Sequence, residues 1–259
     1  MRRKNYPTDL TDEQWELVRP LRPKARPGGR PRSVDLREVL NGVLYVVRGG
    51  VAWRMLPNDL PPWGTVHYYY RRWRLDGTWD RVMEALRTRL RHADGRKKSP
   101  SAAIVDSRTI RTAEGGVRGY DAGKRTPGRK RHIVVDTLGF LLAVVVHSAS
   151  VRDRDGVKLV LARLEGRFPR LRLIWADAAY EAAVGWAWLF AGWVLELVRK
   201  PDDQKGFVVL PRRWVVERTF AWLMNGRRLA RDYERLVESS EAMVKVSMIH
   251  LMLKRLRPA

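Results

Sequence analysis

Three carboxylates stand at positions that could do chemistry. Asp106 ends the apolar run in AAIVDS, Asp177 ends the strand-like run in LRLIWADAAY, and Glu217 sits in RRWVVERTFAWL. At 100° per residue, Val215, Val216, Thr219, Phe220, Trp222 and Leu223 fall on one side of a helix, an apolar face suited to packing on a sheet. Glu217 lies at the border of that face, with Arg213 one turn earlier on the same side. Taken alone, such a glutamate reads either as a metal ligand at a sheet edge or as a solvated residue paired with an arginine. Three converging carboxylates without Cys or His call for hard divalent cations with oxygen ligands, Mg²⁺ or Mn²⁺. Two such ions about 3.5–4 Å apart could clamp the attacking and leaving oxygens of a phosphodiester exchange. The three residues are far apart in sequence, so only folding can join them.

The composition narrows the setting. The chain has 259 residues, 45% of them hydrophobic, which is material for a real core. It has no cysteine, which excludes disulfides, zinc–thiolate sites and a cysteine nucleophile. Charges interrupt every apolar run short of a membrane span, and MRRKNYPTDL has no apolar stretch after it. These features predict a cytoplasmic, nucleoid-associated protein with no membrane partner. Fifty-one Lys and Arg against 28 Asp and Glu give a formal charge of +23, which argues for a polyanionic partner, nucleic acid.

Residues 11–92 read as helical. Thr11 can cap TDEQWELVRPL in a capping box with Glu13 or Gln14. RPKARPGGRPR (22–32) breaks the chain, and Ser33 is expected to cap VDLREVLNGVLYVV, which Gly49 and Gly50 end. LPNDLPPW connects to a third helix over 64–77, and Thr78 opens a fourth. The third helix carries Tyr68, Tyr69, Tyr70, Arg71, Arg72, Trp73 and Arg74. A short helix series with a basic, aromatic third member resembles a helix-turn-helix unit, in which Arg71, Arg72 and Arg74 would contact DNA; the same aromatics could equally be core. ADGRKKSPS (93–101) is a polar linker that divides a helical domain, 1–95, from a second domain, 96–259.

After the linker the period changes. AAIVDS reads as a buried strand, followed by an irregular loop over 111–131. That loop holds Lys124, Arg125, Arg129, Lys130 and Arg131, expected to bind phosphates. RHIVVDT and GFLLAVVVHSA form a hairpin, Asp153 or Asp155 starts a helix, and a strand ends at Asp177. A helix, the strand WVLELVRK, the loop PDDQKGFVVLP, the Glu217 helix and a last helix over 241–256 complete the chain. The order strand–strand–strand–helix–strand–helix–strand–helix is that of the RNase H-like fold, an α/β class with a mixed five-stranded sheet flanked by helices. In that sheet the first and fourth strands are neighbours, so Asp106 and Asp177 would project from one end and the last helix would present Glu217 across it.

The strings IVDSRTIRT, RGYDAGK…GRKRHIVVDTLG, VRDRDG, ADAAY, WVVERTFAWL and RRLARDYE resemble bacterial insertion-sequence transposases of the DDE class, in the IS-four/IS-five-like branch. YPTDLTDEQWELVRPL and GVAWRMLP…W are similar to that branch's helical DNA-binding domain. The likeness runs from about Tyr6 to Leu256. It implies that Asp106, Asp177 and Glu217 are the catalytic, metal-binding triad, holding two Mg²⁺ or Mn²⁺ ions. It implies double-stranded DNA as substrate, both element ends and target, and a homodimer in the synaptic complex. Arg213 matches the arginine of the signature Tyr-x2-Arg-x3-Glu-x6-Lys, whereas Leu210 and Met224 stand where its Tyr and Lys would be. There, either Arg227 and Arg228 take over phosphate contact or end binding is altered.

Of the other carboxylates, Asp136 lies beside a turn, Asp153 and Asp155 look like helix caps, and Asp121 would order nearby arginines. His132 reads as structural or phosphate-facing. The function expected is a transposase that binds its terminal inverted repeats, cuts the ends and joins them to target DNA. Two rivals share parts of the pattern: an RNase H-like nuclease without strand transfer, and a helix-turn-helix regulator with a dead core.

Overall fold

The computed structural model describes residues 3–24, 28, 33–113, 115–199 and 212–256. Leu210 and the expected loops over 22–32 and 201–211 lie wholly or mostly outside them. The first four helices are α1 (Asp12–Val18), α2 (Leu36–Gly49), α3 (Trp63–Leu75) and α4 (Thr78–Ala93). Thr11 closes the expected capping box with Gln14. Asp35, not Ser33, caps α2, accepting from the Arg37 N–H at 2.8 Å. Gly50 ends α2 in the left-handed conformation.

Six strands follow: β1 (Ala102–Ile110), β2 (Gly119–Asp121), β3 (Thr126–Asp136), β4 (Leu141–Ser148), β5 (Leu173–Ala176) and β6 (Val194–Leu197). Helix α5 (Asp153–Ala162) lies between β4 and β5, and α6 (Val184–Ala191) between β5 and β6. After β6 come α7 (Trp214–Met224), the short α8 (Arg227–Ala230) and α9 (Val237–Arg255). The sheet runs β4-β3-β1-β5-β6, with β2 as a short addition pairing to the start of β3. β1 and β3, and β3 and β4, are antiparallel, while β5 and β6 run parallel to β1. This is the RNase H-like order expected above.

Alternation along the strands makes two cores. Ala103, Val105, Ile174 and Ala176 face the side covered by α5, with Val157, Val160 and Leu161. Ile104, Ile133, Val135 and Trp175 face the other side, with Val215, Val216 and Phe220 of α7 and Met248, Ile249 and Met252 of α9. The same cluster takes in Val39, Val43 and Leu44 of α2 and Val82 and Leu86 of α4. The packing is therefore continuous across the linker.

The expected irregular loop over 111–131 is corrected. Its second half is the first half of β3, and the alternation of that strand sends its cations inward. Arg129, Lys130 and Arg131 are 0%, 4% and 4% exposed. Arg129 donates to the Val117, Glu234 and Arg235 carbonyls, and its guanidinium lies 3.3 Å from Asp232. Arg131 donates to the Leu229 carbonyl and lies 3.7 Å from the same Asp232. Lys130, on the opposite face, meets Asp153 at 3.1 Å and Asp121 at 3.6 Å. Arg228 is also buried, with Glu234 at 2.8 Å. These four side chains are occupied inside the protein and offer no phosphate contact. Arg129 and Arg131 instead tie the α8–α9 segment to the sheet, because a buried guanidinium is tolerable only when paired.

Asp232 is the hub of that tie, since it also accepts from the Ser240 hydroxyl at 2.6 Å and the Glu234 N–H at 3.0 Å. Replacing Asp232 by alanine leaves two buried cations without a counter-charge. The expected loss is about 3–5 kcal/mol, against less than about 0.5 kcal/mol for Arg71→Ala on the surface. Urea denaturation followed by circular dichroism measures both.

Candidate active site

The parallel pairing of β1 and β5 brings the first two carboxylates together. Its register sets Ala103 beside Ile174 and Ile104 beside Trp175, so two residues further on Asp106 stands beside Asp177. Both share the parity of Ile104 and Trp175, which pack on the α7 side. Asp106 and Asp177 therefore rise from one end of two neighbouring strands, on the face that α7 covers. Asp177 also starts the 3₁₀ turn Ala178–Ala183, accepting from the Ala179 N–H at 3.1 Å.

Helix α7 supplies the third carboxylate. Val215, Val216, Phe220 and Leu223 anchor it to the sheet, and Thr219 donates to the Gly139 carbonyl at 2.9 Å. Glu217 is exposed at the border of that face. Arg213, the residue before the helix, is nearly buried and links two of the acids: it lies 2.8 Å from Asp177 and 3.9 Å from Glu217. The guanidinium thus sits among the carboxylates as their counter-charge. Arg212, which precedes it, takes a left-handed φ of 70° and lies over the Trp175 ring at 4.5 Å.

Burial pushes the Asp106 carboxyl up to about 6, and the charge of Asp177 adds to the rise. The Ser107 N–H at 2.7 Å, Arg213 and Lys124 pull the other way. Two crowded acids and a third one turn of helix from Arg213 make a site that favours cations. Among the described residues, no three acids or histidines are gathered closely enough to hold an ion, and Arg213 engages both Asp177 and Glu217. The donor set, oxygen only, still fits a hard divalent cation.

Behind Asp106, on the α5 side, lies a buried polar layer. The Ser107 hydroxyl donates to Asp153 at 2.9 Å, and Asp153 also pairs with Lys130. Asp153 is thus turned to the sheet instead of capping α5. His132 is fully buried against His147, with ring nitrogens 2.8 Å apart, and burial pushes its pKa down to about 3. It is a neutral structural histidine that faces no phosphate. Asp121 accepts from the Thr109 hydroxyl and the Lys124 N–H, and fully buried Asp136 pairs with Arg91 at 2.7 Å. None of these joins the Asp106–Asp177 end.

Comparison with known proteins assigns the family. Residues 97–252, more than half of the chain, match the family described as Transposase DDE domain. The chain belongs to the DDE transposase family. Residues 10–83 match a second family, Putative transposase of IS4/5 family. One relative is the Insertion element IS402 uncharacterized 16.2 kDa protein of Burkholderia cepacia, 36% identical over 41% of this chain and 76% of the relative. Another is the Putative transposase for insertion sequence element IS402 of the same species, 30% identical over 55% of this chain and 70% of the relative. No solved structure matches. The family carries an RNase H-like fold, depends on divalent metal and acts on DNA; no helix among the described residues is long and apolar enough to cross a membrane.

Of the cations expected to meet DNA, this transposase exposes Arg71, Lys124, Arg125 and Arg227, while Arg72 and Arg74 are half-buried on α3. Lys124 and Arg125 form the β2–β3 turn, and Lys124 is close enough to Asp106 to lower its pKa. Arg227 lines a cleft of about 530 Å³ with Arg48, Tyr45 and Met224. Arg218 and Arg255 did not figure among the expected cations, although the i, i+4, i+8 spacing of Trp214, Arg218 and Trp222 is visible in the sequence.

The seat of α7 depends on Gly139, whose φ is 89° and where a Cβ would meet Thr219 Oγ1 at 2.8 Å and the Trp222 ring at 2.9 Å. Gly139→Ala is expected to lower stability by more than about 1 kcal/mol. The lost Thr219 contact should also lower protection of the α7 amides in hydrogen exchange.

Proposed function

We infer that this transposase cuts the ends of its own insertion element and joins them to target DNA, using Asp106, Asp177 and Glu217 to hold two Mg²⁺ or Mn²⁺ ions. The observation that carries the reading is the β1–β5 register, which stands Asp106 beside Asp177 on the face where α7 presents Glu217. Bound there, the ions would supply Lewis-acid activation of a water or 3′-hydroxyl and would offset charge on the leaving oxygen. The protein's own part is positioning. Asp106 is held by the Ser107 N–H, Asp177 by the Ala179 N–H, and Glu217 by the seat of α7. Arg213 balances the charge of Asp177 and Glu217; a bound cation would take over that role at the carboxylates, and a DNA phosphate would accept from the guanidinium.

Residues 1–95 would recognise the inverted repeats and 96–259 would carry the chemistry, in agreement with the two matched segments. Arg71, Arg72 and Arg74 on α3 would read base edges, because a helix fits the major groove. Lys124, Arg125, Arg213 and Arg227 would bind phosphates, with Arg227 and its neighbour Arg48 serving where Met224 replaces a lysine. Two copies would pair two ends in a synaptic complex. We place the protein in the cytoplasm, on the nucleoid.

Asp106→Asn, Asp177→Asn and Glu217→Gln should each abolish nicking of a supercoiled plasmid carrying the element ends while duplex binding persists. Near wild-type cutting by any one of them removes that residue from the ligand set. Mg²⁺ or Mn²⁺ should support cutting, and Ca²⁺ should support binding with little cutting, because its looser geometry does not align an in-line attack. Cutting in excess chelator would defeat the metal reading, and nicks without joined products would favour a nuclease. Arg72→Ala should narrow the preference for element ends over random DNA by about 1–3 kcal/mol, measured by competition binding.

A further inference from the structure

Beyond the carboxylates, α7 carries a ladder of aromatic and cationic groups along its flank. Arg218 lies between two indoles, 4.3 Å from the Trp214 ring centroid and 4.4 Å from that of Trp222. Arg255, at the end of α9, lies over the other part of this stack, 4.0 Å from Trp222 and 5.4 Å from Phe140. Stacking holds a guanidinium by its faces and leaves its N–H edge free to point outward. Arg218 spends one N–H on the Leu138 carbonyl at 3.1 Å, and its buried Nε has no partner. Among the described residues, neither arginine has a carboxylate within ion-pair distance.

Both arginines line an open cleft of about 430 Å³ between α7, the C-terminal ends of α4 and α9, and the β3–β4 turn. Its one acid, Asp94, is paired with Arg96 at 2.7 Å. The walls are tied together by hydrogen bonds. Asp136 accepts from the Leu138 and Phe140 N–H groups, which sets the turn, and the turn is seated on Thr219. Burial and the neighbouring charge of Arg255 push the Arg218 pKa down, the sign of two cations facing one cleft without an anion between them. Trp214 is 41% exposed at its rim. A stable fold gains nothing from two adjacent uncompensated cations, so the arrangement fits a ligand that brings the negative charge.

We propose that the Trp214–Arg218–Trp222–Arg255 ladder and its cleft form a DNA-backbone site, which takes a phosphodiester strand running past the catalytic carboxylates. Arg218 follows Glu217 directly on α7, about 100° further round the helix. The guanidinium edges take phosphate oxygens, and the exposed Trp214 face packs on the adjoining sugar or base. The contact carries no sequence preference, because none of these groups is placed to read a base edge. This rests on the transposase reading and adds to it a surface apart from α3 and the β2–β3 turn.

The test uses the full chain and a random-sequence DNA duplex, with affinity measured across a salt series. Arg218→Gln with Arg255→Gln should weaken binding at least about tenfold at low salt and flatten the salt slope by about 0.9 for each phosphate lost. Arg154→Gln, on the solvent side of α5, should leave the slope unchanged. Phenylglyoxal labelling of the unmodified protein gives an answer independent of the variants' folding: DNA should protect Arg218 and Arg255 but not Arg154. An unchanged slope in a folded double variant, or labelling of both arginines undiminished by DNA, overturns the ladder. If the wild-type protein itself fails to bind duplex DNA, the transposase reading falls with it, an outcome the salt series separates from failure of the ladder alone.

Discussion

The parallel pairing of β1 with β5 is the constraint on which the rest depends. Two parallel strands cannot be joined by a tight turn, so β3, β4 and α5 must be threaded between them, and the crossover covers one face of the sheet. The other face then needs its own cover, which α7 and α9 provide through Val216, Phe220, Ile249 and Met252. The same pairing leaves two strand ends side by side, each finishing in an aspartate. A slip of one residue would turn one of the acids to the opposite face and separate the pair.

Charge has been sorted by the fold into three uses. Some cations are interior struts: Arg129 and Arg131 meet at Asp232, Lys130 at Asp153, Arg91 at Asp136 and Arg228 at Glu234. Some neutralise the crowded acids, as Arg213 does. Others, among them Arg71, Lys124, Arg125 and Arg227, face outward, as suits a DNA-acting protein. Net charge alone cannot tell a strut from a contact, because both are the same residue types. Only the partner within reach distinguishes them.

Helix α7 is where these uses meet. Its buried face holds it to the sheet, its border carries Glu217 opposite Arg213, and its flank stacks Arg218 between indoles. The seat at Gly139 and Thr219 locks the rotation of the helix, so the three functions keep a fixed angle to one another. A carboxylate at the edge of a packed helix is held more firmly than one on a loop, which suits the ligand role proposed for Glu217.

The sequence by itself determined most of the architecture. Periodicity marked α1 to α4 and the strands, and the apolar runs ending in Asp106 and Asp177 were legible because buried parallel strands are nearly continuous in apolar residues. The strings around those residues and Glu217 carried the family resemblance. What sequence could not decide was where charged side chains go. GRKR looked like a solvated basic loop because Gly and cations dominate it, yet its extension of the β3 ladder sends alternate cations to opposite buried faces, where Asp232 and Asp153 wait from distant segments. Likewise, Arg213 reads as a helix neighbour of Glu217, and its closer partner, Asp177, comes from a strand end. Local pattern encodes which face is apolar; the identity of a partner across the fold depends on tertiary contact, and so does whether a cation is spent inside or left free for DNA.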